Sequence, residues 1–171
     1  TMERLRARVR RWTAFFIVGL VLSGVTALPI PTEVELGSSF LGADLSAGGR
    51  LPPFVAGWLR TVRDGIRATS EAAPFMFYGT DWLAFGHLMI ALAFVGALRD
   101  PVRNRWLYQF GMMACALVPV WALAFGQLRG IPLWWRLIDA SFGIVGFLPM
   151  WLCHRWTEVL EQGHTRYRKT R

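Results

Sequence analysis

Residues 106–128, WLYQFGMMACALVPVWALAFGQL, form an apolar stretch that contains no charged residue. A helix of about 20 apolar residues is long enough to cross the hydrocarbon core of a bilayer. Pro119 stands inside the stretch and predicts a kink in that helix. The stretch therefore predicts a transmembrane helix. Lipid is then the solvent around such helices, and a polar residue inside one is costly and therefore informative.

Three further apolar stretches are long enough to cross a bilayer, and they cover residues 12–29, 82–98 and 133–153. Together the four predict an all-α integral membrane protein, with residues 1–171 forming a single membrane domain of four transmembrane helices. The composition agrees, because 54% of the residues are hydrophobic and the mean hydropathy is +0.35. The short connections at 99–105 and 129–133 make the second and third spans, and the third and fourth, antiparallel neighbours.

Basic residues predict the orientation of these spans. Thirteen of the nineteen lie in the N-terminal segment, the 99–105 connection and the 154–171 tail. Cytoplasmic segments carry the excess of Lys and Arg, so both termini are predicted to be cytoplasmic, in a bacterial inner membrane. The N-terminal arginines followed by an apolar run imitate a secretory signal, and we interpret them as part of a membrane anchor. The net charge of +8 is explained by anionic lipid, with no need for nucleic acid.

Residues 31–81 are then predicted to form a periplasmic segment. Its first part, residues 31–49, is rich in Gly, Ser and Pro, and we expect an irregular loop there. Pro52 and Pro53 then open an amphipathic helix. Its apolar face suits either the membrane surface or a partner protein, and both remain open. That face consists of Phe54, Val55, Trp58, Leu59, Val62 and Ile66.

Small residues predict where the spans pack, because helices in lipid associate through close backbone approach. Such residues occur in the first, third and fourth spans; they are Gly19, Ser23, Ala27, Gly111, Cys115, Ala122, Gly126, Gly143 and Gly146. Cys115 and Cys153 differ in predicted depth by roughly 13 Å at the helical rise of ~1.5 Å per residue. We therefore expect both cysteines to be buried and reduced.

Asp139 is the most informative polar residue, since it lies inside the fourth span, where an unpaired carboxylate costs about 2.5–3.5 kcal/mol. Gly143 and Gly146 follow on its face, so Asp139 is expected to point into the bundle. Arg136, three residues earlier, and His87, at a similar depth in the second span, are its two candidate partners. The three residues predict an intramembrane polar pair that fixes helix register, or alternatively a proton-handling or ligand-binding site.

His87 also requires a test as a tetrapyrrole ligand. Bis-histidine haem needs two imidazoles at one depth, whereas His154 lies about 25 Å from the level of His87. That arrangement is disfavoured, but a single axial histidine on a chlorophyll-type pigment, or a His–Met pair on haem, stays open. No other cofactor and no metal site is predicted.

Arg99, Arg103 and Arg105 in the connection between the second and third spans predict contact with phosphate headgroups. No protease, hydrolase, redox or nucleotide-binding signature appears in the chain, and no catalytic residue is predicted. The leading hypothesis is a non-catalytic subunit of a larger membrane complex, photosynthetic or respiratory by analogy. Its partners would be lipid and other membrane subunits. A small transporter or enzyme centred on His87, Asp139 and Arg136, or a pigment binder, are the alternatives.

Overall fold

The computed structural model describes the backbone of residues 2–40 and 51–169 and the side chains of residues 2–37 and 51–163. Its regular structure in those ranges is entirely helical. The helices are α1 (Met2–Thr26), α2 (Ile30–Phe40), α3 (Pro53–Ala72), α4 (Tyr78–Arg99), α5 (Arg105–Leu128) and α6 (Leu133–Lys169), with a 3₁₀ turn at Pro74–Phe77 before α4.

Four helical segments are long and apolar enough to cross a membrane, which confirms the all-α membrane class. They are Met2–Thr26, Pro74–Arg99, Arg105–Leu128 and Leu133–Gly163. The second, third and fourth predicted spans each fall within one of these helices, whereas the first, 12–29, extends past the end of α1 at Thr26. Three of the helices also run further than predicted. The basic N-terminal residues continue α1 and the start of the tail continues α6, because neither segment contains a residue that stops a helix.

The loop predicted for residues 31–49 is wrong in its first part, where α2 forms. Pro31 lies in the first turn, which tolerates a missing N–H, and Glu33 lies near the positive end of the helix dipole. Val34 then contributes to a groove shared with Ile66 of α3. The helix therefore depends on an apolar contact that local composition does not reveal. Residues 41–49 lie outside the described part of the chain.

The contacts divide the chain into two compact units. Unit 1 comprises Thr1–Gly19 and Ile90–Arg171, and unit 2 comprises Leu20–Met89. In unit 1, three segments that are distant in sequence meet at one end: the start of α1, the α4–α5 connection and the later part of α6. Arg10 Nη2 donates to the carbonyl of Arg99 over 3.2 Å, and Arg105 reaches Glu161 over 2.8 Å.

The packing of α5 against α6 follows the predicted small residues. A Cβ on Gly111 would lie 2.9 Å from Met150 Sδ, and one on Gly146 would lie 2.9 Å from Cys115 Sγ. Gly143 lies directly against the carbonyl oxygen of Cys115. Pro119 has no N–H to donate to that oxygen, four residues earlier, so the close approach of Gly143 uses a carbonyl that the proline leaves free.

A Schellman turn connects α5 to α6. Gly130 has a φ of +69°, a conformation that costs other residues about 1–2 kcal/mol. The N–H of Gly130 donates to Gln127 and the N–H of Ile131 donates to Gly126, over 3.1 and 2.9 Å. Pro132 then begins the chain reversal, and its carbonyl accepts a hydrogen bond from the backbone N–H of Arg136 at the start of α6. The turn thereby fixes the antiparallel pairing that its short length predicted.

In unit 2, the close contact of α1 with α4 lies at Gly24. A Cβ there would lie 3.1 Å from both Ala84 O and His87 Cβ. The predicted stripe in this span is wrong, since Ser23 is exposed and a Cβ on Gly19 would meet open space. Four-residue spacing of small residues defined a face, but it did not determine which face meets a neighbour.

Candidate functional site

Asp139 lies half-buried in α6, on the same face as Gly143, which contacts α5. Within unit 1, its carboxylate makes no hydrogen bond or ion pair with the described residues. The inward direction predicted for Asp139 is consistent with this position.

Arg136 packs across the end of α5. A Cβ on Gly126 would lie 2.5 Å from Arg136 Cδ, so the aliphatic stem covers that glycine. Arg136 Nη1 donates to the carbonyl of Leu123 over 3.2 Å, and Arg136 Nε is buried without a hydrogen-bond partner. A cation near a helix C-terminus is favourable, because the last carbonyls carry partial negative charge. The guanidinium therefore lies against the later turns of α5, and the structure does not pair it with Asp139.

His87 belongs to unit 2 and lies half-buried in α4. Its Nδ1 lies 2.8 Å from the carbonyl oxygen of Leu83. A carbonyl only accepts, so Nδ1 carries the proton in a neutral ring and Nε2 keeps a lone pair. Because Asp139 belongs to unit 1, the predicted pairing of His87 with Asp139 stays a prediction.

Among the described residues, no group of three or more His, Cys, Asp or Glu side chains could hold a metal ion. A tetrapyrrole would need only one nitrogen, from His87. The tetrapyrrole hypothesis stays a prediction.

The amphipathic helix predicted after Pro52 is α3, and Pro52 occupies its N-cap position. On its apolar face, Phe54 is exposed, whereas Val55, Trp58, Leu59, Val62 and Ile66 are half-buried. Ile66 lines the groove against α2, so this chain itself covers part of that face. Arg63, Arg67 and Glu71 line the same groove. Arg63 forms an ion pair with Asp64 at 3.0 Å, and Arg67 forms one with Glu71 at 3.2 Å.

The three arginines assigned to lipid headgroups have different surroundings. Arg99 and Arg103 are exposed. Arg105 is half-buried and forms ion pairs with Glu158 at 3.6 Å and Glu161 at 2.8 Å, both on α6. Its guanidinium therefore joins α5 to α6, and the headgroup contact predicted for Arg105 stays a prediction. Glu158 and Glu161 lie beyond residue 153, where the predicted fourth span ends. The end of that span therefore offered no carboxylate as a predicted partner for Arg105.

A buried hydroxyl cluster, formed by Thr13, Tyr108 and Cys153, was not predicted. All three side chains are 0% exposed. Thr13 Oγ1 lies 2.8 Å from Tyr108 Oη, 2.8 Å from the carbonyl oxygen of Val9 and 3.9 Å from Cys153 Sγ. One consistent arrangement has Tyr108 donating to Thr13, which donates in turn to Val9. The cluster joins α1, α5 and α6 in unit 1.

Adjacent contacts complete the surroundings of the hydroxyl cluster. Thr157 is also fully buried and donates to the carbonyl of Cys153 over 2.6 Å. The thiol of Cys153 lies 3.6 Å from Val9 O, and both cysteines are buried and free. The ring of Phe94 packs at an angle against those of Phe16 and Tyr108, with centroid distances of 4.9 and 6.4 Å. The polar groups are thus bonded to each other or to helix carbonyls inside an apolar shell.

Sequence reasoning missed this cluster because its members are 95 and 140 positions apart. Each lies near the end of an apolar stretch, where a hydroxyl is ordinarily explained by headgroup contact. The one available signal was Thr13 itself, a polar residue flanked by Trp12 and Ala14 at the start of a span.

Comparison with known proteins gave no significant match to a family model, to a curated protein or to a solved structure.

Proposed function

We propose that this protein is a non-catalytic subunit of a larger bacterial inner-membrane complex, with both termini in the cytoplasm. The observation that carries the proposal is how unit 1 uses its polar groups. Thr13, Tyr108 and Thr157 bind one another or helix carbonyls, Arg136 donates to a carbonyl of α5, and Arg105 pairs with carboxylates. These groups hold helices in register, which is a structural role.

Exposed apolar surface supports the assembly part of the proposal. The candidate spans bury only 17–28% of their most apolar windows inside this chain. Lipid or neighbouring subunits must cover the rest. Phe54 lies outside the four candidate spans, on α3, and is 62% exposed. It is the side chain through which we expect α3 to contact a partner subunit. An energy-transducing complex is suggested by analogy with other small helical subunits.

The arrangement of charge supports the orientation. The start of α1, the α4–α5 connection and the later part of α6 lie together at one end of unit 1, and they carry most of the basic residues. Segments rich in Arg remain in the cytoplasm during insertion. The segment between α1 and α4 then faces the periplasm.

Purification in a mild detergent tests the assembly. The chain has a mass of 19.4 kDa, and we expect it to migrate with other subunits in a much larger particle. Phe54→Ser should release these subunits, whereas Arg60→Gln, an exposed change on the same helix, should retain them. Migration as a monomer or a homo-oligomer alone would contradict the proposal.

A second candidate is a tetrapyrrole binder through His87. The hydrogen bond from Nδ1 to Leu83 O supports it, because this bond leaves the Nε2 lone pair available to an axial site on Mg or Fe. The purified chain would then show a visible absorption band that His87→Leu removes. A spectrum without a visible band would exclude this candidate.

A small transporter or enzyme centred on Asp139 is distinguished by one variant. Asp139→Asn should abolish transport or turnover with normal protein abundance if Asp139 handles protons. In a purely structural subunit the same change should leave the activity of the complex intact, or lower abundance and activity together.

A further inference from the structure

The arginines at the start of α1 divide between two faces. Arg10 donates to the carbonyl of Arg99, and Arg6 also has a partner within the protein. Arg4, Arg8 and Arg11 are exposed and make no hydrogen bond or ion pair with any described residue. At 3.6 residues per turn, these three project within about 40° of one direction. That direction is opposite to buried Val9 and Thr13.

An apolar surface continues the same face towards the predicted membrane interior. Trp12, Phe15 and Val18 are 37%, 58% and 54% exposed, and the rings of Trp12 and Phe15 meet edge-on at 5.8 Å. At the other end, Arg4 and Arg8 line a surface groove with Met2 and Leu5. The face therefore changes from cationic to aromatic to aliphatic over a few turns of one helix.

We propose that this face of α1 binds an anionic phospholipid, with its phosphate at Arg4, Arg8 and Arg11 and an acyl chain along Trp12, Phe15 and Val18. Guanidinium groups bind phosphate oxygens through paired, charge-assisted hydrogen bonds. The apolar surface next to the arginines fits a lipid and has no counterpart in a nucleic acid or an acidic peptide. This site is additional to the proposed role as a subunit.

Among the described residues, no carboxylate forms an ion pair with Arg4, Arg8 or Arg11. Gly163 of α6 contacts Met2 at the start of α1. The residues that follow, 164–171, include no Asp or Glu in the sequence, so they cannot neutralise the arginines. Glu3 is the acidic residue adjacent in the chain, and it is exposed and pairs with no described residue. The three guanidinium groups are therefore open to an external anion.

Native mass spectrometry of the purified full chain, titrated with phosphatidylglycerol in a neutral detergent, tests the proposal. The triple variant R4Q/R8Q/R11Q should lose affinity about a hundredfold, at roughly fivefold for each arginine. The matched control R60Q/R129Q/R155Q removes three exposed arginines from elsewhere in the chain, none of them predicted to contact a headgroup, with the same change in net charge. The affinity of this control for phosphatidylglycerol should stay within about twofold of the parent protein's if the lipid binds at a defined site. Arg8→Gln alone should lower the affinity about fivefold. This single variant replaces the triple variant in the test if the triple variant does not fold.

Two further titrations identify the ligand. Phosphatidylcholine with the same acyl chains should bind much more weakly, and glycerol phosphate should neither bind nor displace the lipid at comparable concentration. Equal losses in both triple variants would show diffuse attraction and overturn the site. No loss in the α1 variants, equal binding of phosphatidylcholine, or displacement by glycerol phosphate would overturn it as well.

Discussion

At the scale of single residues, Thr13 makes the contact on which the core of unit 1 depends most directly. Its hydroxyl lies within 2.8 Å of both Val9 O and Tyr108 Oη, and all of these groups are shielded from lipid and water. Hydrogen bonds in membrane proteins contribute modestly, about 0.6 kcal/mol on average and up to about 1.7. The cost of leaving a buried hydroxyl without a partner is larger than that net gain.

Thr13→Val should therefore destabilise the protein by about 1–2 kcal/mol, because it keeps the shape and leaves Tyr108 Oη without its short hydrogen bond. Tyr108→Phe should cost less, since Thr13 can still donate to Val9 O. The free energy of unfolding in mixed micelles measures both. A larger loss for Tyr108→Phe than for Thr13→Val would contradict the arrangement.

Arg105 gives a second prediction at this scale. It forms ion pairs with Glu158 and Glu161, and all three side chains are partly exposed. Arg105→Gln should reduce stability by about 0.5–1 kcal/mol, with a smaller loss at high salt. Arg103→Gln, a change in the same connection at an exposed residue, is the control and should be neutral. An effect of Arg105→Gln that is independent of salt would argue against the ion pairs.

At the scale of helices, the α5–α6 pair depends on backbone approach. Gly143 lies against Cys115 O and close to Val118 and Pro119. Gly143→Ala should cost about 1–3 kcal/mol, because a methyl group there forces the helices apart. Gly86→Ala in α4 is the control, since its Cβ would meet open space. Measured unfolding free energies that rank the two variants equally would contradict this packing.

The helices also show how far sequence reasoning reached. Hydropathy is a local property, so the apolar stretch 106–128 predicted α5 to within a residue. The small residues Gly111, Gly143 and Gly146 predicted the α5–α6 contact because residues without bulky side chains let helix backbones approach closely in lipid. By contrast, α2 depends on a contact with α3, and composition alone could not reveal it.

The candidate site was less predictable for the same reason. Asp139 and Arg136 are neighbours in sequence, which suggested an ion pair, but the Schellman turn at Gly130 brings Arg136 over the end of α5. Thr13, Tyr108 and Cys153 come together only in the folded structure. Spacing along one helix identifies a shared face, whereas the neighbour of that face is a property of the tertiary structure.

At the scale of the whole molecule, the prediction concerns orientation. Green fluorescent protein fused after residue 171 should fluoresce, because that end is expected in the cytoplasm. Alkaline phosphatase fused after residue 72 should be active, because that position is expected in the periplasm. The excess of Arg in the N-terminal segment, the 99–105 connection and the tail is the physical reason. The reversed pattern of reporter activity would contradict the proposed orientation.

The late position of α6 in the chain has a consequence for biosynthesis. Met150 and Cys153 complete the surroundings of Gly111 and Thr13, and both are synthesised after the helices that they contact. A chain truncated after α5 would expose the face on which α6 lies. Such a truncation should therefore shorten the lifetime of the protein in the cell more than truncation within residues 164–171.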